Sequence, residues 1–120
     1  MITIDKITVA VGKMAEMVDF YSRVFGVTLQ PVEMFGATLF AGALGEVELL
    51  FCPKKIAGVE ANSNTIQLRF IVDDVEAAYK KAVESGGKLI FDLQEHEGRQ
   101  QCAFRDPDGN SFELVAAEKR

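Results

Sequence analysis

Phe104-Arg105-Asp106-Pro107-Asp108-Gly109-Asn110-Ser111-Phe112-Glu113-Leu114-Val115-Ala116 is a turn that feeds a strand. Pro107 presets φ for the turn, Gly109 supplies the position with φ > 0, and the Asp and Asn side chains can bond the local backbone. Beyond the turn the residues alternate. Phe112, Leu114 and Ala116 fall on one face of a strand; Ser111, Glu113 and Val115 fall on the other. Glu113 is a carboxylate set opposite an apolar face, and what it looks at bears directly on function.

Upstream, residues 88–94 and 99–105 read as strands joined by the polar loop Gln94-Glu95-His96-Glu97-Gly98. Residues 65–72 alternate, with Ile66, Leu68, Phe70 and Val72 on one side and Gln67, Arg69 and Ile71 on the other. Asp73 or Asp74 can cap the helix that follows, whose apolar stripe is Val75, Ala78, Tyr79, Ala82 and Val83 and which Ser85-Gly86-Gly87 ends. The first half has the same grammar. A strand over 2–11 leads to a helix over 13–25 closed by Gly26, then strands over 27–35, 37–42 and 46–52. The stretch 53–64 has no period and reads as a polar linker. The expectation is one α+β domain with the order β-α-β-β-β written twice: module one 1–52, linker 53–64, module two 65–120.

The halves also match residue by residue. Val11 to Gly26 lies over Val72 to Gly87, which sets Met14 on Val75 and Val18 on Tyr79. Gly45-Glu46-Val47-Glu48-Leu49-Leu50 lies over Asn110-Ser111-Phe112-Glu113-Leu114-Val115. Such duplication predicts two βαβββ modules related by a pseudo-twofold axis. It pairs Lys6 with Gln67, Thr8 with Arg69, and Glu48 with Glu113, all on the strand face away from the helix-packing set. With helices on the outer face, that inner face is solvent-exposed or curves around a cavity. A cupped mixed sheet would bring Lys6, Glu48, Gln67 and Glu113 to its floor, with Thr8 and Arg69 nearby.

Composition excludes several classes of partner. A net charge of −5 and the absence of a basic run argue against nucleic acid and anionic membrane surfaces. No apolar run approaches bilayer-spanning length. The first residues alternate like a strand and do not form a signal peptide. Cys52 and Cys102 lack metal-site spacing, so the expectation is a cytoplasmic protein with two free thiols.

Three stretches carry a family likeness: Met17-Val18-Asp19-Phe20-Tyr21-Ser22-Arg23-Val24-Phe25-Gly26, Val72-Asp73-Asp74-Val75-Glu76-Ala77-Ala78, and Asp106-Pro107-Asp108-Gly109-Asn110-Ser111-Phe112-Glu113-Leu114. In this order and spacing, the chain resembles the vicinal-oxygen-chelate superfamily, also called the glyoxalase/bleomycin resistance/dioxygenase family. The resemblance implies paired βαβββ modules, a cupped sheet and a homodimer. In metal-dependent members it implies one divalent ion held by His or Gln on the first strand of each module and Glu on the last strands. Carried over, those places are Lys6, Glu48, Gln67 and Glu113.

Lys6 departs from that pattern. An ammonium has no lone pair and repels a divalent cation. Facing carboxylates would hold its proton more tightly. The expectation is that Lys6 stands in or blocks the metal's place, neutralised by Glu48 and Glu113. Three functions follow. One is a small-molecule binding protein without a metal, with Lys6, Glu48, Gln67, Arg69 and Glu113 lining the ligand site. Another is a lyase or isomerase using Zn, Ni or Mg on Glu48, Gln67 and Glu113, with Glu113 as the best base. The third is metal-free catalysis with Lys6 as electrophile. Arg69 can clamp a ligand carboxylate or phosphate, or bridge to a glutamate. His96 reads as a solvated loop residue that could serve a lid, Cys52 shares the parity of Glu48, and Phe35 and Phe40 are candidates for lining a cavity.

Overall fold

The computed structural model describes residues 3–58, 64 and 66–117. Two compact units divide the chain, Met1–Ala61 and Asn62–Arg120. In the first, β1 (Lys6–Val11), α1 (Met14–Phe25), β2 (Gln30–Met34), β3 (Ala37–Leu44) and β4 (Val47–Pro53) lead to a short helix, α2 (Lys54–Ala57). The second holds β5 (Leu68–Val72), α3 (Val75–Glu84), β6 (Lys88–His96), β7 (Arg99–Arg105) and β8 (Ser111–Ala116). The order β-α-β-β-β is therefore present in both, as two four-stranded mixed sheets, β1-β4-β3-β2 and β5-β8-β7-β6. In each, the first strand runs parallel to the last and the other pairs are antiparallel.

Helical spacing in the first unit sets Met17, Phe20, Tyr21 and Val24 on one buried side of α1. That stripe packs on the sheet: the Tyr21 ring meets Phe51 of β4 edge-on, with centroids 5.2 Å apart. Gly26 ends the helix in the left-handed region, φ 67°, and its N–H donates to the Ser22 carbonyl at 3.0 Å. The chain then returns close to β3. A Cβ on Gly42 would sit 2.6 Å from the Thr28 carbonyl oxygen, so only glycine admits this approach.

In the second unit, Asp74 rather than Asp73 caps α3, its Oδ1 accepting from the Ala77 N–H at 3.0 Å. Val75, Ala78 and Ala82 are buried, and Tyr79 meets Phe104 edge-on. Phe104 and Phe112 stack beneath the helix at 6.3 Å. The turn before β8 is built around Asp106, which is 2% exposed. Its carboxylate accepts from the N–H groups of Asp108 and Asn110 and from the Asn110 side-chain amide, all at 3.0–3.1 Å. Gly109 takes φ 91°, as the turn chemistry of the sequence requires.

Three local expectations are corrected. Part of the expected linker is helical, α2, closed by Gly58 with φ 71°; residues 59–63 and 65 lie outside the described residues. Asn64 belongs to the second unit, because its side chain bonds Ser111 in both directions, donating to the carbonyl at 2.9 Å and accepting from the N–H at 3.0 Å. The segment 94–98 is not a loop. β6 runs to His96 and β7 begins at Arg99, so only Glu97 and Gly98 turn, both with positive φ. Phe35-Gly36 makes the same turn between β2 and β3. The sequence places this break at Gly36; the structure adds Phe35, expected at the strand end, to the turn.

Candidate functional site

The register of each sheet places the polar residues. In unit one, Lys6 lies opposite Glu48 in the parallel ladder of β1 and β4, and its Nζ is 3.1 Å from Glu48 Oε2. In unit two, Arg69 lies opposite Glu113 between β5 and β8, with Nε 3.5 Å from Oε1. Both pairs occupy the sheet face away from the helices, as the alternation requires. The two units thus present the same arrangement: a cation on the first strand facing a glutamate on the last.

Gln67 does not take the place that sequence matching gives it. It precedes β5, and its Nε2 donates to the Ser111 hydroxyl at 3.1 Å. The register makes Arg69, not Gln67, the counterpart of Lys6. The second half carries four extra residues between the matched segments, the ladder pairs Glu113 with a residue two places beyond Gln67, and matching short stretches separately conceals the change. Thr8 shares the face of Lys6, opposite Leu50.

Both pairs are partly solvated. The side chains of Lys6 and Glu48 are about half exposed (47% and 46%), so this pair is worth no more than about 1 kcal/mol. Glu113 is more enclosed at 22%. Beside Glu48, an open recess of ≈ 460 Å³ is lined by Asp5, Ala41, Ala43, Glu46 and Val47 among others. Its size is that of a small-molecule site. The same faces carry enclosed apolar residues: Leu39 and Cys52 in unit one, Ala103 and Val115 in unit two.

The donors do not fit a divalent cation. Each glutamate faces a group with no lone pair to offer, and a guanidinium stays charged throughout the working pH range. Among the described residues no three His, Cys, Asp or Glu side chains are grouped to hold an ion. His96 ends β6 at the hairpin tip, 65% exposed, with Nε2 3.7 Å from Glu97 Oε1.

The remaining candidates fall elsewhere. Phe35 is 78% exposed at its turn, and Phe40 registers with Phe51 on the helix face, so neither lines the helix-free side. Cys102 also lies on the helix face, opposite Leu114. Burial pushes its thiol up to about 11, with the Asp92 charge adding to the effect. A thiol held protonated is a poor nucleophile. Tyr79 is raised too, first because its hydroxyl bonds Asp92. Both cysteines are free.

The model of the Glyoxalase/Bleomycin resistance protein/Dioxygenase superfamily matches residues 3–114. The chain belongs to this superfamily. Solved members share its fold at low identity. A glyoxalase-related enzyme from Fulvimarina pelagi is 20% identical with a TM-score of 0.78, over 96% of this chain and 88% of that one. A glyoxalase/bleomycin resistance protein/dioxygenase family enzyme from Burkholderia phytofirmans PsJN is 21% identical with a TM-score of 0.76, over 95% and 98%. TnmS3, an antibiotic binding protein from Streptomyces sp. CB03234, is 21% identical with a TM-score of 0.74, over 98% of both chains. No curated protein matches the chain. Among the described residues, no helix is long and apolar enough to cross a membrane.

Proposed function

We propose that this superfamily member binds a small organic molecule against its helix-free sheet faces and does so without a divalent metal. One observation carries the reading. Lys6 and Arg69 each place a basic side chain of the protein against the glutamate, Glu48 or Glu113, that the metal-dependent reading would give to an ion. The similarity to an antibiotic binding protein supports the class of ligand. Lys6, Glu48, Gln67, Arg69 and Glu113 form the polar contacts in this reading, with Arg69 available for a ligand acceptor.

We further infer a cytoplasmic homodimer. Two free thiols suit a reducing compartment, and Ile66 and Ile71, 74% and 65% exposed, supply apolar surface of the kind that pairing covers.

The test is a fragment screen by NMR on isotope-labelled protein stripped with a chelator, followed by light scattering for mass. The reading expects aromatic fragments to perturb residues of the helix-free faces in chelated protein, and a particle of twice the chain mass. Binding that appears only after zinc or nickel is added would favour the metal-dependent lyase or isomerase, with Glu113 as base.

A further inference from the structure

Gln101 sits near the middle of β7, opposite Val115 on one side and Gln94 on the other. It is 7% exposed. No hydrogen bond of its carboxamide to another described residue is present. Every fully enclosed side-chain nitrogen or oxygen among the described residues does have a partner. The Gln101 amide therefore ends at accessible space while the rest of the side chain is enclosed. A side chain this enclosed whose amide meets no group of the protein calls for an explanation.

The internal repeat shows that the fold does not require it. In unit one, Ala43 lies opposite Glu48 and Ala41 opposite Leu50. In unit two, Ala103 lies opposite Glu113 and Gln101 opposite Val115. The position of Gln101 is thus filled by alanine in the sister sheet. Towards β8 and along its own strand its neighbours are apolar, with Ala103 1% and Val115 2% exposed, while Gln94 lies on the β6 side. The neighbouring strand is irregular at this place: β6 shifts register on both sides of Phe91, which lies opposite Ala103. Bulges of this kind re-aim side chains and concentrate near binding sites.

We propose that Gln101 is the hydrogen-bonding anchor of a ligand site on the helix-free face of unit two, taking an uncharged carboxamide or carbonyl carried on an aromatic body. Phe91, partly exposed on the neighbouring strand, supplies an apolar wall. The inference rests on the small-molecule reading above and specifies the ligand class for that site. A carboxamide offers two donors and one acceptor without charge. It matches a neutral amide better than a carboxylate, and it rejects ligands that would leave it unpaired.

The test uses benzamide as probe, with benzoate as the charged comparison, on the isotope-labelled full chain. The Gln101 side-chain NH₂ pair is assigned by its loss in Gln101→Leu. Benzamide should shift that pair saturably and bind more tightly than benzoate. Gln101→Leu should weaken benzamide binding about tenfold, the worth of one well-made hydrogen bond. The same variant should melt higher than the wild type without ligand, because it removes an unpartnered amide; Gln101→Met repeats the comparison with an unbranched side chain. An unshifted Gln101 pair, equal binding by Gln101→Leu, or a lower melting temperature in both variants would overturn the proposal. Fragments that perturb only the surroundings of Arg69 and Glu113 would overturn the role of Gln101 and leave small-molecule binding standing. No binding by any aromatic fragment would remove both.

Discussion

Arg69 and Glu113 face each other across the parallel pair β5 and β8, with Nε 3.5 Å from Oε1, as Lys6 and Glu48 do across β1 and β4. The two contacts differ in solvation, since the Glu113 side chain is 22% exposed and that of Glu48 46%. A double-mutant cycle with Arg69→Met and Glu113→Gln, read by urea unfolding, should give a coupling of about 0.5–1 kcal/mol. The cycle with Lys6→Met and Glu48→Gln should give a smaller value. The reverse order would show that burial does not set the strength of these pairs.

Phe35 holds φ 52° at the tip of the β2–β3 hairpin and is 78% exposed. A bulky residue in the left-handed region costs about 1–2 kcal/mol. Asn-Gly is the preferred pair for such a turn. Phe35→Asn should therefore stabilise the protein by about 1 kcal/mol, measured as a higher midpoint in urea. An unchanged or lower midpoint would mean that the ring makes a contact worth more than the strain.

The Asp106 carboxylate ties the turn that starts β8. Asp106→Ala removes an enclosed acceptor and strands the N–H groups of Asp108 and Asn110. The loss should be about 2–4 kcal/mol, with Asp106→Asn recovering part of it. Thermal melting of the three proteins checks this; a loss under about 1 kcal/mol would show that solvent replaces the carboxylate.

The Cys102 thiol is raised from 9.0 to about 11 by burial and by Asp92, and Tyr79 is raised as well. A raised acid is protonated more fully in the folded chain than in the unfolded one. These groups therefore contribute stability that is present below pH 9 and lost as pH rises toward 11. Urea unfolding from pH 8 to 11 should show falling stability, less so in Cys102→Ala. Ellman's reagent at pH 8 should react with Cys102 only after unfolding; rapid labelling of folded protein at Cys102 would contradict its burial.

Much of the fold was legible because its signals are local. Alternation marks β1, β5 and β8, glycines set off β2, β3 and β4, helical spacing marks α1 and α3, and glycines mark the ends of both helices. Pairing register is not local. Lys6 and Glu48 share a face that alternation shows, whereas matching segments whose spacing differs between the halves makes Gln67 the counterpart of Lys6; in the ladder the residue facing Glu113 is Arg69. Gln101 is not visible in the sequence because nothing local fixes the register of residues 88–105, where the bulged β6 pairs with β7. Phe35 reads as the end of a strand and a cavity candidate because nothing in its residue type signals a left-handed turn position.

The central claim is that cations of the chain occupy the places where metal-dependent relatives hold an ion. Calorimetric titration of Zn²⁺ or Ni²⁺ into chelator-stripped protein tests it most directly, on the wild type and on Lys6→His. The account predicts no stoichiometric binding by the wild type, with any site confined to Lys6→His. One ion bound per chain by the wild type, with Kd of about 1 μM or tighter, would contradict it.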